Sequence, residues 1–289
     1  MKNKYYRYLL HSVVFASVLG GSIAYAGTSE MAPAHPVEAP AKDVVSGTFN
    51  LDFNSHFFSY GNDVWDDGKD AFTPGFYPSV ELAFALPAGF SATLGVWSEV
   101  HDKTHTANTL GGNINEIDIY GGLAYTIDKF TVGVTYQNWF YPDAAGRGAT
   151  EEILDIKLSY DTFLSPSLLI HDRLDAGGAA SFGGDEGTIL ILGLSHSIKA
   201  GPVTFSFPFN LAYFVDDGFH STTGKSGFGY GSIAVNASVP LSSLIGTEYG
   251  DWSLHAGVTY YVTNKDVVGV GTNPEDSFFT TNIGLSLAF

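Results

Sequence analysis

The sequence contains no cysteine, few basic residues and no long apolar run. The absence of cysteine excludes a disulfide scaffold, a thiolate zinc site and a cysteine nucleophile. The chain has 13 Lys and Arg residues and 30 Asp and Glu residues, which gives a net charge of −17. A chain this acidic would be repelled by a phosphate backbone, so we expect no nucleic-acid partner. Because no stretch reaches about 18 apolar residues without a charge or a turn, no transmembrane helix is predicted.

The N-terminal segment carries basic residues and no acidic residue. Its first seven residues carry three basic side chains, Leu9–Leu19 is apolar, and Ala24–Ala26 has the small-x-small pattern of a cleavage site. We therefore predict a signal peptide over residues 1–26, whose removal lowers the net charge to −20. The alternative, a membrane anchor, requires about 20 apolar residues, and this segment is shorter.

A proline-rich linker is predicted over residues 27–46, and a single domain over residues 47–289. The linker contains Pro33, Pro36 and Pro40 among Ala and Glu, a composition that cannot bury a core. The domain shows apolar residues at every second position, in segments of about 10 to 13 residues separated by turn residues. This pattern predicts an all-β fold with about twelve strands.

The connections between these strands alternate in length, which favours a transmembrane barrel over a soluble β-sandwich. Tight turns such as residues 87–89 and 128–129 alternate with long polar loops, as in antiparallel outer-membrane barrels. Strands can cross lipid only when the sheet closes and pairs every backbone group. Aromatic clusters at strand ends are interpreted as an interfacial girdle: Phe57, Phe58, Tyr60, Trp139, Phe140, Tyr141, Tyr213, Phe214, Tyr260 and Tyr261.

The last strand ends in an alternation of outward-facing apolar residues that finishes at the C-terminal Phe289. This ending resembles the signal read by the bacterial barrel-insertion machinery. We therefore expect that machinery to be a partner and Phe289 to be the insertion signal.

A stretch of the chain resembles the TorF-type porin family. The resemblance is carried by Glu116–Gly122, Tyr136–Pro142, Glu152 and Lys157–Asp161, and it is clearest between Ile114 and Leu168. It implies an outer-membrane barrel with a channel role. It transfers no binding or catalytic residue, because the function of that family is itself largely inferred.

Charged residues on the predicted inner face would line a pore. The candidates are Asp52, Glu81, Glu99, Glu116, Asp118, Asp155, Lys157 and Arg173. Six acids against two bases would make the lumen negative and favour cations. The alternative interpretation is that these residues bridge opposite walls and fill the barrel, which twelve strands also allow.

Two other chemistries are weaker interpretations. Asp63, Asp66, Asp67 and Asp70 suggest weak calcium contact, but the spacing places Trp65 where an oxygen ligand is required, so a solvated acidic loop is the preferred interpretation. A barrel phospholipase would place His and Ser two residues apart on the lipid face, whereas His196 is flanked at that spacing by leucine and isoleucine. Triads drawn from separate strands stay open, because sequence order does not determine their geometry.

Taken together, the sequence predicts an outer-membrane channel for passive diffusion of small hydrophilic solutes, with a preference for cations. The alternatives are a barrel with a structural or surface-interaction role and, third, a lipid-modifying enzyme. We expect no catalytic activity, no cofactor and no metal. The expected partners are outer-membrane lipid, lipopolysaccharide, the insertion machinery and the solutes.

Overall fold

The computed structural model describes most of the predicted barrel domain. The described residues are 44–64, 74–101, 114–142, 149–177, 184–246, 248, 250–269 and 276–289. The predicted signal peptide and nearly all of the linker lie outside them. The first strand begins at Val45, so the last two residues assigned to the linker belong to the barrel wall.

Twelve antiparallel strands close into a barrel, which confirms the predicted fold class. A separate short hairpin, β2 (Phe58–Ser59) and β3 (Asn62–Asp63), follows the first wall strand. The wall strands are β1 (Val45–Asn54), β4 (Gly75–Ala85), β5 (Phe90–Val100), β6 (Ile114–Ile127), β7 (Phe130–Tyr141), β8 (Ala149–Tyr160), β9 (Ser167–Asp175), β10 (Gly187–Ala200), β11 (Val203–Phe214), β12 (Gly227–Pro240), β13 (Asp251–Thr263) and β14 (Ser277–Ala288). In the described part of the chain, two single-turn helices, α1 (Ser242–Ile245) and α2 (Lys265–Val268), lie in connections.

The two ends of the barrel differ in the length of their connections. At one end, turns as short as residues 128–129 and 201–202 join the strands, and both β1 and β14 have their free ends there. At the other end the connections are longer, as between β1 and β4 and between β11 and β12. Outer-membrane barrels place the short turns in the periplasm. We therefore name the two ends the periplasmic end and the outer end.

The wall alternates between an apolar outer face and a mostly polar inner face, in the register that the sequence predicts. Representative apolar side chains on the outer face are 47% to 60% exposed: Phe53, Leu94, Ile119, Leu123, Leu192, Ile233, Phe279 and Ile283. Side chains on the inner face are buried, as in Asp52, Asn54, Thr135, Gln137, Ser206, Ser232 and Thr280. An apolar surface of this extent would be unfavourable in water and is favourable in lipid.

These observations place the protein in the bacterial outer membrane. A closed antiparallel barrel with an even number of strands satisfies every wall hydrogen bond internally, and its outer face is apolar. Among the described residues, no helix is long and apolar enough to cross a membrane.

The barrel closes where β1 pairs with β14, and Phe289 lies at this seam. The backbone nitrogen of Gly47 donates to the Phe289 carbonyl oxygen at 2.7 Å, and the Phe289 nitrogen donates to the Gly47 oxygen at 3.0 Å. The Phe289 ring lies over Gly47, where a Cβ atom would be, so any larger residue at position 47 would require the ring to move. Phe289 therefore completes the seam in addition to its predicted role as an insertion signal.

Deletion of Phe289 is expected to lower the yield of folded barrel, because it removes both seam hydrogen bonds and the ring that covers Gly47. The folded fraction can be measured by heat-modifiable mobility on a gel. Phe163→Ala is the matched control, because Phe163 is an exposed aromatic at the same end that has no part in the seam. Equal folded fractions for the deletion and the wild type would contradict the prediction.

Candidate functional site in the barrel lumen

All eight predicted pore residues lie on the inner-face register, but they are unequally accessible. Six are buried: Asp52, Glu99, Glu116, Asp118, Asp155 and Arg173. Glu81 and Lys157 are only half-buried. The Tyr120 hydroxyl donates to Glu81 at 3.1 Å. The lumen is therefore more closely packed around these charges than an open, water-filled pore would be.

A group of four buried carboxyl groups, the acidic cluster, lies on β5, β6 and β8. Glu99 on β5 pairs directly with Glu116 on β6, and Asp118 lies between the cross-strand neighbours Trp97 and Trp139. Glu151 on β8 pairs with Trp139. Asp118 lies beside Glu116 on the inner face of β6, and the two carboxyl groups are close enough to share a hydrogen bond. Carboxylates in such surroundings attract cations or protons, because little water screens them.

Arg173 supplies the positive charge next to this cluster. Its Nε atom lies 2.7 Å from a carboxylate oxygen of Glu151. Glu151 is not among the pore candidates predicted from the sequence, although β8 begins at Ala149 and includes it. The same alternation that places Asp155 inward also places Ile153 and Glu151 inward, so extending the pattern backwards would have found it.

Asp155 belongs to a buried hydrogen-bond network rather than to a free pore wall. The Trp139 indole donates to Gln137 at 3.2 Å, the Gln137 amide donates to Asp155 at 2.5 Å, and His171 Nδ1 lies 2.8 Å from the other Asp155 oxygen. All four side chains are buried. Asp155, one of the predicted pore-lining residues, is therefore held by protein partners on both carboxylate oxygens.

The hairpin of β2 and β3 turns inward and fills the outer part of the lumen. The Phe58 ring is stacked on Tyr261 with centroids 3.8 Å apart, and Tyr60 is stacked on His171 at 4.0 Å. Phe57 is stacked against Tyr77 and Trp97 at about 6 Å. These contacts reach β4, β5, β9 and β13 on different sides of the barrel. We call residues 55–64 the plug hairpin.

The plug hairpin corrects two sequence-based predictions. The alternation that puts Phe53 on the outer face predicts the same face for Phe57 if the first strand continues, but β1 ends at Asn54 and Phe57 is buried inside. Six of the ten residues assigned to the interfacial girdle are buried within the barrel: Phe57, Phe58, Tyr60, Trp139, Phe214 and Tyr261. Their aromatic character was interpreted as a membrane signal, whereas it serves packing in the lumen.

The connection between β11 and β12 covers the same region from the outer side. The Arg173 guanidinium lies 3.8 Å from the centroid of the Phe219 ring and donates to the Phe219 carbonyl at 2.5 Å. His220 Nε2 lies 2.8 Å from the Tyr60 carbonyl oxygen. Arg173 therefore links the acidic cluster to this connection, and His220 links the connection to the plug hairpin.

His220 makes this link sensitive to acid. Burial and the nearby Arg173 charge lower the pKa of His220 to about 3. A displaced histidine has a pKa near 6.5, so below that value the displaced form binds a proton that the packed form excludes. The packed position of the connection consequently loses stability as the pH falls from about 6.5 towards 3.

Acidification from pH 7 to pH 4 is expected to increase amide hydrogen exchange in residues 215–226, after correction for the intrinsic rate. The reason is the proton uptake of displaced His220. His220→Gln, which keeps a donor towards Tyr60 and does not titrate, should remove most of this pH dependence. An identical pH profile in the wild type and the variant would show that another group controls the connection.

The described residues contain no group of three or more His, Asp or Glu side chains placed to hold a metal ion. Asp63 is buried, with its carboxylate 3.9 Å from His56 Nε2. The other three aspartates of the suggested calcium loop lie outside the described residues.

The lipid-facing histidine has no serine partner in the described structure. His196 Nδ1 lies 2.9 Å from the Phe163 carbonyl oxygen, and the two rings are 4.0 Å apart. Its same-face neighbours along β10 are Leu194 and Ile198. This arrangement does not provide the dyad of a barrel phospholipase.

Comparison with known proteins finds similar barrels at low sequence identity. No family model and no curated protein matches the chain. A solved structure of the NanC porin is 11% identical, covering 83% of this chain and 98% of its own, with a TM-score of 0.45. The KdgM porin in complex with disordered oligogalacturonate is 10% identical, covering 84% and 99%, with a TM-score of 0.42. Outer membrane phospholipase A from Escherichia coli is 11% identical, covering 83% and 92%, with a TM-score of 0.42.

These similarities are too weak to assign a family or an activity. Porins and a phospholipase occur together among the matches. The TorF-type resemblance stays a prediction.

Proposed function

We propose that the protein is a narrow, cation-preferring channel for small hydrophilic solutes in the outer membrane. The observation that carries this proposal is the excess of carboxyl groups inside the closed wall. Four acidic side chains lie close to the basic side chain of Arg173: Glu99, Glu116, Asp118 and Glu151. Fixed negative charge in a lumen bounded by lipid-facing strands attracts cations and repels anions.

The path through the barrel has two parts in this proposal. Towards the periplasmic end, the inner face carries half-buried polar side chains such as Asn50, Ser79, Glu81 and Lys157. Towards the outer end, the plug hairpin packs against the wall. Solutes would pass when the hairpin shifts, and they would meet the acidic cluster beside it. Outer-membrane lipid, lipopolysaccharide and the insertion machinery remain the proposed partners.

Neutralising two members of the cluster tests the selectivity. Glu116→Gln/Asp118→Asn should lower the cation-to-anion permeability ratio, while amides of similar size preserve the packing of the lumen. Reversal potentials in a salt gradient measure this ratio for single channels in a planar bilayer. Asp161→Asn, at an exposed position in a periplasmic turn, is the matched control.

An unchanged reversal potential in a conducting Glu116→Gln/Asp118→Asn barrel would reject the cation preference. If neither the wild type nor any variant conducts, the channel itself is rejected.

The second candidate is a barrel that transports nothing and serves a structural or surface-interaction role. It is favoured by one observation, the aromatic packing of the plug hairpin against several sides of the lumen. Twelve strands enclose a lumen small enough to be filled in this way. Absence of conductance, together with a normally folded barrel, would support this candidate over the channel.

A further inference from the structure

On the inner face of the seam, three side chains form a Ser-His-Asp arrangement that the channel does not require. His255 Nε2 lies 2.5 Å from Asp52 Oδ1. The Ser286 hydroxyl lies 3.3 Å from His255 Nδ1, the other ring nitrogen. The residues come from β1, β13 and β14, so they are far apart in the sequence and meet only at the seam. Such triads are recognised by geometry and not by sequence order.

We propose that Ser286, His255 and Asp52 form a hydrolytic site in the lumen for short acyl esters of hydrophilic alcohols. Ser286 is the nucleophile, His255 is the general base and Asp52 orients the imidazole ring. With the Nε2 proton donated to Asp52, the Nδ1 lone pair faces the Ser286 hydroxyl. This assignment goes beyond the channel and departs from the expectation that the barrel has no catalytic activity.

The backbone of the seam is shaped to bring the acid and the base together. Gly284 on β14 pairs with Asp52 on one side and with His255 on the other. A Cβ atom at position 284 would collide with Asp52 Oδ1 and His255 Nε2, so the contact across β14 exists only because this residue is glycine. The glycine therefore permits two strands that are not neighbours in the barrel to share a hydrogen bond.

The accessibility of the three groups fits their assigned roles. Asp52 is buried, as suits a residue that orients another, and the His255 side chain is 17% exposed. Ser286 is half-buried and lies three residues before the C-terminal Phe289, towards the periplasmic end. A substrate would therefore enter from the periplasm, without passing the plug hairpin.

The surroundings of Ser286 are polar and include an amide donor. Asn50 on β1 pairs directly with Ser286, and its Nδ2 atom donates one of its two hydrogens to the Ser79 hydroxyl. The second hydrogen of this amide is a candidate donor to the oxyanion that forms during acyl transfer. Ser253 on β13 pairs with Ser286 from the other side. Because these neighbours are polar, the substrate that we propose is an ester of a hydrophilic alcohol.

The proposed reaction balances without a cofactor. The Ser286 oxygen bonds to the ester carbonyl carbon while its proton moves to His255 Nδ1. The bond from that carbon to the alcohol oxygen then breaks, and the leaving alcohol takes the proton. Water then gives a proton to His255 as its oxygen bonds to the acyl carbon. The bond from that carbon to the Ser286 oxygen breaks, and the proton on His255 returns to Ser286, which releases the acid.

The test uses the full-length barrel, folded in detergent micelles, and a fluorophosphonate probe. The Ser286 oxygen should displace fluoride from phosphorus, and mass spectrometry should find the adduct on the C-terminal peptide. Ser286→Ala should abolish the labelling, and the matched Ser253→Ala should retain it. His255→Gln, which keeps a donor towards Asp52 and lacks the base, should slow labelling by about 100-fold or more.

Each alternative outcome would overturn the proposal. Absence of an adduct in barrel shown to be folded by heat-modifiable mobility would mean that Ser286 is not activated. Equal labelling rates in the wild type and His255→Gln would mean that the imidazole is only a structural bridge across the seam. An adduct on a different serine would place the reactivity elsewhere. None of these outcomes bears on conductance, which tests the channel separately.

Discussion

Phe58→Ala/Tyr60→Ala is expected to increase the single-channel conductance of the barrel severalfold. The two rings fill the outer part of the lumen through stacking on Tyr261 and His171. Removal of a buried Phe ring costs about 3 to 5 kcal/mol, so the hairpin should lose its packed position. The wall should survive, because its hydrogen bonds run between strands, and the bond from the Ser55 nitrogen to the Thr281 carbonyl oxygen of β14 is a backbone contact that neither substitution removes.

The matched control for this experiment is Phe53→Ala. Phe53 precedes the plug hairpin in the same segment but lies on the outer face, 53% exposed, so its removal should leave the conductance unchanged. Planar-bilayer recordings of the folded wild type, the control and the double variant provide the comparison. Equal conductance in all three would show that the plug hairpin does not limit the current.

Ile119→Arg is expected to prevent most of the protein from reaching the folded state in the membrane. Ile119 lies near the middle of β6 and is 60% exposed on the lipid-facing wall. An arginine near the bilayer midplane costs about 2 to 4 kcal/mol, a large part of the stability of a typical domain. The folded fraction after refolding into lipid vesicles, assayed by heat-modifiable mobility, measures the effect.

Two matched variants separate the lipid face from the lumen. Ile119→Leu keeps an apolar side chain at the same position and should fold as the wild type does. Asp118→Asn changes the adjacent residue, which lies on the inner face, and should also fold. Normal folding of Ile119→Arg would show that this part of β6 does not face lipid.

The wall of the barrel could be predicted from the sequence because the patterns that specify it, strand alternation and loop length, are local. A strand has a side-chain period of two, so the alternation in β6 between Asp118 and Ile119 assigns one face to lipid and one to the lumen. The same logic predicted β9, although its alternation is weak and both faces contain leucine. His171 and Arg173 are buried there and Leu174 is exposed. Loop length, also read directly from the sequence, predicted the orientation of the ends.

The packing inside the lumen depends on contacts between residues far apart in the sequence, which local sequence patterns do not predict. Tyr60 and His220 are 160 positions apart, and Asp52 and His255 are 203 apart, yet each pair is within hydrogen-bond distance. An inward position predicts burial, but it does not predict which inward residue will be the partner. Asp155 illustrates the limit, because its face was predicted and its partners Gln137 and His171 were not.

The sequence by itself therefore determined a closed, lipid-facing wall, because strand alternation and loop length suffice to specify it. Only the tertiary structure decided that the aromatic residues of the plug hairpin turn inward instead of forming a girdle. It likewise decided that Ser286, His255 and Asp52 meet across Gly284. The physical reason is that closure brings the first and last strands together. Every strand of the closed wall then contributes inward-facing side chains to one shared lumen.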